Sequence, residues 1–174
     1  MKKGYKIISV VFIVVIALGL WVLYLYVMPP QLPTYEKKNV DSKILQELGY
    51  VPGEIIISIK RSEMDLSTNI GLRRFLSFLD EKSSELTPII INQLNEKGKL
   101  LQAEITPEFE KKMKSSLITY GRSFSSTNGA LLVLGINDAV LEIIDELKKE
   151  DFVEDVNPNF VINNPKVDFV GSPK

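Results

Sequence analysis

The 174-residue chain contains no cysteine and no histidine. Without cysteine there is no disulfide framework and no thiol to carry a lipid, so any folded part is stable through its core alone. The two absences together exclude Ser-His-Asp and Cys-His nucleophilic machinery and His/Cys zinc sites. They also leave no side chain whose unperturbed pKa lies near neutrality. The 10 glycines are scattered, with no P-loop and no GxGxxG following a strand. No Asn-x-Ser/Thr acceptor for N-glycosylation occurs. No residue is therefore assigned a catalytic, metal-binding or cofactor-binding role, no cofactor is expected, and the chain reads as a non-enzyme.

What is present begins with an uninterrupted apolar run, Ile7 to Met28. A helix of about 22 residues spans the ~30 Å hydrocarbon core of a bilayer at 1.5 Å per residue. Lys2, Lys3 and Lys6 precede it, and the positive-inside rule then places residues 1–6 in the cytoplasm. Ala17-Leu18-Gly19 has the small-x-small look of a signal cleavage site, but the apolar run continues past it, which favours a retained span. The expectation is a single-pass cell-membrane protein. It has a transmembrane helix over 7–28, a lipid bilayer as partner of that segment, and its C-terminal domain outside the cytoplasm. Subtracting the three N-terminal lysines from 21 basic residues leaves 18 against 22 acidic ones, a balance of −4 for the remainder. That balance argues against nucleic acid as a partner.

The prolines of Pro29-Pro30-Gln31-Leu32-Pro33 predict an extended spacer over 29–39. Val40, Ile44, Leu45 and Leu48 have helical spacing ended by Gly49, and Tyr50 to Gly53 reads as a turn. Glu54 to Lys60 is a β-branched strand. Residues 61–116 read as helical, with Leu72, Phe75, Leu76 and Leu79 on one face. Thr87-Pro88 and Thr106-Pro107 are helix starts and Gly98 a stop, while Lys99 to Ile105 is ambiguous between strand and helix. Leu117 to Phe124 alternates as a strand, with Ile118, Tyr120, Arg122 and Phe124 sharing a face. Asn128-Gly129 supplies a hairpin turn, and Ala130 to Ile136 is a strand apolar on both faces. A helix follows through Glu150, then a short strand, Phe152 to Val156, ended by Asn157-Pro158.

The predicted fold class is α+β. The transmembrane helix is followed by a ferredoxin-like βαββαβ four-stranded antiparallel sheet domain over 40–165, with a helical insertion, and a C-terminal tail over 166–174. The first and third strands are central in that topology, and they are the two most apolar here. A strand apolar on both faces, in a sheet with helices on one side, implies either a partner on the open face or coverage by the 61–116 segment.

From Leu117 to Pro165, together with Glu54 to Lys60, the chain resembles the propeptide domain of subtilisin-like proteases, the inhibitor I9 family. The resemblance rests on the order of Tyr120 and Phe124, Asn128-Gly129, the strand from Ala130 to Leu134, the helix from Asn137 to Lys149, Asp151 to Val156, and Asn157-Pro158-Asn159-Phe160-Val161. It implies an intramolecular-chaperone and inhibitor type of protein, whose open sheet face packs on two protease helices and whose tail lies in the active-site cleft. By that resemblance the protease-binding tail comprises Asn159, Phe160, Val161, Ile162 and Asn163, and the open sheet face uses Ile118, Tyr120, Phe124, Leu132 and Leu134. Asn157 stands where the family usually has a Glu that caps a protease helix, and Asn159 near a second frequently acidic site, so these two are the helix-capping contacts. With no protease domain after Lys174, the expected partner is a subtilisin-like protease on a separate chain. The alternative is a bitopic structural or interaction protein that assembles with a surface or envelope partner without any protease.

Overall fold

The computed structural model describes residues 2–32, 48–124 and 126–160. Helix α1 is Lys2–Val27. Strand β1, Tyr50–Ile59, leads through a turn to helix α2, Asn69–Glu96, and helix α3, Pro107–Ser116. Strands β2, Ile118–Phe124, and β3, Gly129–Leu134, form a hairpin. Helix α4, Val140–Leu147, and strand β4, Val153–Phe160, complete the domain. The four strands make one antiparallel sheet in the order β2-β3-β1-β4. The α+β class and the central placing of β1 and β3 are as the apolar patterning predicts.

The transmembrane expectation is corrected. Among the described residues no helix is long and apolar enough to cross a membrane. Residues 2–27 form one helix. The bilayer contact through residues 7–28, the single-pass cell-membrane placement and the cytoplasmic N-terminus rested on that span and go with it. The far end of α1 meets the domain through Arg73, whose guanidinium donates to the Met28 carbonyl at 3.1 Å and lies 5.6 Å from the Tyr24 ring centre.

The core lies between one face of the sheet and helices α2, α3 and α4. Ile55, Ile57 and Ile59 of β1, Ala130, Leu132 and Leu134 of β3, and Val153 and Val156 of β4 point into it. Phe75, Leu79, Leu86, Ile90 and Leu94 form a continuous buried stripe along α2. That stripe overrides the helix start expected at Thr87-Pro88, since α2 runs through Pro88 without a break. Proline removes one donor and costs roughly 3 kcal/mol inside a helix. Burying Leu86, Ile90 and Leu94 contributes about 1.5–3 kcal/mol each and outweighs it. The Thr87 hydroxyl donates to the Ser83 carbonyl at 2.6 Å instead of capping a new helix.

The other signals place the remaining boundaries. Thr68 caps α2, its Oγ1 accepting the Gly71 N–H at 3.0 Å, and Thr106 caps α3 through the Phe109 N–H at 3.2 Å with Pro107 in the first turn. Gly98 (φ +66°) stops α2, and the ambiguous stretch after it holds a single 3-10 turn, Gln102–Glu104. β1 starts earlier than predicted, because Tyr50 pairs with Phe160 across an irregularity that contains Gly53 (φ +71°). β4 likewise runs past Asn157-Pro158 to Phe160, and Pro158 is tolerated because β4 is an edge strand. The short helix expected over 40–48, apart from Leu48, and most of the spacer over 29–39 lie outside the described residues.

Candidate functional site: the uncovered sheet face

Strand parity fixes which side chains leave the core. Ile55 and Ile57 are fully buried under the helices, so Glu54, Ile56 and Ser58 project from the opposite face. Their register partners on β3 are Val133, Leu131 and Gly129. On β4, Ile56 pairs with Asn157 and Ser58 with Asp155. These residues surround an apolar centre in which Ile56 and Val133 are half-buried and Leu131 is only 2 % exposed.

β2 completes the face in an unexpected way. Ile118 and Tyr120 pair with Leu134 and Leu132, but the register then shifts, and Arg122 pairs with Leu131 and Phe124 with Gly129. The extra residue is Gly121, a β-bulge that exchanges the parity of the strand halfway along. Ile118 and Tyr120 therefore face the helices, while Arg122 and Phe124 face away with the Arg122 guanidinium 5.1 Å from the Phe124 ring centre.

The consequence for the expected open face is a correction. Ile118, Tyr120, Leu132 and Leu134 are buried beneath α2 and its neighbours, and of the five named residues Phe124 alone is on the uncovered face. Alternation along β3 gives two apolar sets, and the sequence offered no parity marker between them. Glu54, Ile56, Leu131, Val133 and Arg122 were missed. The usable signals were the unpaired parity of Glu54 and Ser58 in β1 and the glycine inside β2.

Polar groups rim the face beside β4. Glu54 is only 3 % exposed, and its Oε2 accepts from Asn159 Nδ2 at 2.7 Å. The Asp155 carboxylate accepts the Val156 N–H at 2.9 Å through one oxygen and the Asn157 amide through the other. The two expected capping residues, Asn157 and Asn159, thus sit on the same edge strand, each with its amide nitrogen donating to a carboxylate of this chain. Asn159 and Phe160 of the expected tail belong to β4, with Phe160 59 % exposed. Val161, Ile162 and Asn163 lie outside the described residues, as does the tail over 166–174.

This arrangement is suited to holding another polypeptide: an apolar centre, a cationic and aromatic corner at β2, and hydrogen-bond acceptors along β4. Among the described residues no group of three or more His, Cys, Asp or Glu side chains could hold a metal ion. Comparison with protein-family models, with curated proteins and with solved structures finds no match for the chain.

Proposed function

We propose that the chain acts as a propeptide-like inhibitor or folding chaperone of a subtilisin-like serine protease supplied as a separate polypeptide. The observation that carries the reading is the uncovered face of the β2-β3-β1-β4 sheet. Its accessible apolar centre is the half-buried pair Ile56 and Val133, and β4 leads from its edge into the C-terminal segment. In this reading the face lies against helices of the protease, with Asp155 and Asn157 presenting oxygen acceptors to a helix N-terminus. The segment after Phe160 occupies the substrate cleft as an extended peptide.

The test is hydrolysis of a chromogenic peptide by a subtilisin-type protease titrated with the full chain. Dose-dependent inhibition is expected, and it is lost in a chain ending at Phe160 and in Ile56→Lys. Neither change touches the buried face of the sheet. Absence of inhibition by the full chain, or equal potency of all three proteins, overturns the reading.

A further inference from the structure

Two cavities flank α3, and they differ in chemistry. One, of about 380 Å³ between α2 and α3, is lined by Ser84 and Thr87 and by Glu110 beside Lys111 and Lys114, so its wall carries both signs of charge. The other, of about 370 Å³, lies on a different face of α3, along Phe109, Lys112, Met113 and Ser116. Its wall is Leu94 from α2, Leu100, Phe109 and Met113 from α3, and Ile136 after β3. Lys99 and Lys112 are its only charged lining residues.

The chain builds this second cavity by turning sharply at both ends. Lys99 N–H bonds back to the Leu94 carbonyl at 2.8 Å, which ends α2 and sends the chain across the top of the site. Gly135 brings the end of β3 against α3, where an added Cβ would sit 2.6 Å from the Ser116 carbonyl oxygen. The floor is rigid, because Leu94 and Met113 are 5 % and 7 % exposed.

We propose that this cavity binds a medium-chain alkyl carboxylate, with the alkyl chain against Leu94, Phe109, Met113 and Ile136 and the carboxylate at Lys112. Ligand sites are typically apolar concavities of about 300–1,000 Å³ with a few polar groups that fix orientation, which this one matches. At ~30 Å³ per water-sized group the space holds roughly a dozen such groups, which suits a chain of about eight to ten carbons. Lys99 shares the field of Glu142, whereas Lys112, on the face of α3, is the rim cation that sets the ligand's sign. Lys112 is exposed and hydrated, so a neutral apolar ligand would gain nothing from its charge, and a short carboxylate would leave the apolar wall unfilled.

The experiment follows the four methionine methyl signals of the isotopically labelled full chain during titration with decanoate. The Met113 signal shifts saturably while those of Met28 and Met64, which do not line the cavity, stay in place. Acetate gives no shift, and 1-decanol binds at least fivefold more weakly than decanoate. Lys112→Gln weakens decanoate about fivefold, and Leu100→Trp, which fills the mouth, abolishes the Met113 shift. A Met113 signal unmoved by decanoate overturns the proposal. So does equal decanoate affinity in Lys112→Gln, an exposed change that leaves the fold in place.

Discussion

Asn128 and Leu66, 62 positions apart, are joined by a buried hydrogen bond of 2.8 Å from the Leu66 N–H to the Asn128 side-chain oxygen. The amide nitrogen of the same side chain donates to the carbonyls of Ile59 and Met64 at 2.8 and 2.9 Å. Asn128 also holds φ at +47°, a conformation that its short polar side chain tolerates. One residue thus turns the β2–β3 hairpin and fastens it to the loop that leads from β1 to α2.

Replacing Asn128 separates these two roles. Asn128→Gly keeps the backbone conformation but leaves three buried groups without partners, and is expected to cost about 3 kcal/mol. Asn128→Ala adds the left-handed penalty of roughly 1 kcal/mol. Urea denaturation of both variants checks the order, and equal stability of Asn128→Ala and the parent protein would sink the assignment.

Parity in β1 makes a paired prediction. Ile57 is fully buried among the helices, so Ile57→Ala is expected to cost about 3 kcal/mol, whereas Ile56→Ala on the uncovered face costs about 1 kcal/mol. Thermal melts read the difference, at roughly 2–4 °C per kcal/mol for a chain of this size. A larger loss at Ile56 than at Ile57 would mean that the face is covered.

The start of α2 is the next sensitive point. Thr68→Ala removes the cap to the Gly71 N–H and also the hydroxyl's bond to the Asp65 carbonyl at 2.9 Å, for about 1 kcal/mol. Gly71→Ala is the more damaging change, because its Cβ would sit 2.0 Å from the Asp65 carbonyl oxygen and the loop must move. Stability measurements that rank Thr68→Ala below Gly71→Ala contradict this geometry.

Glu142 gives a pH dependence of known sign. The Lys97 ammonium, 2.6 Å away, donates to its carboxylate and, with its own backbone N–H, holds it below the ordinary 4.5. A folded-state pKa below the unfolded one stabilises above pH 4.5, and that stabilisation is lost as the pH falls through the lower folded value. Lys97 is half exposed, so the pair contributes under about 1 kcal/mol. Glu142→Gln should be slightly less stable than the parent at pH 7 and equal to it near pH 2. A stability gap independent of pH would refute the pairing.

The Thr106 cap, the stop at Gly98, the Asn128 turn and the four strands were legible in the sequence because each is set by residues close together in the chain, whereas the Thr68 cap was not singled out. The misread elements were decided by distant packing. Pro88 looks like a helix start until the stripe from Phe75 to Leu94 is seen buried on both sides of it. Tyr120 and Phe124 share a parity on paper, and only pairing with β3 reveals that Gly121 separates them. Glu54 signalled a strand end yet lies under Asn159, 105 positions later. The apolar run at the N-terminus gave the helix α1, but among the described residues no membrane-crossing helix.

The donor that Pro88 withholds has a kinetic meaning as well. It removes one backbone bond, to the Ser84 carbonyl, from the middle of a helix that is secured at Thr68 and closed off at Gly98. Amide exchange in α2 is therefore expected to be fastest, away from its ends, in the turn around Ser84 and Pro88.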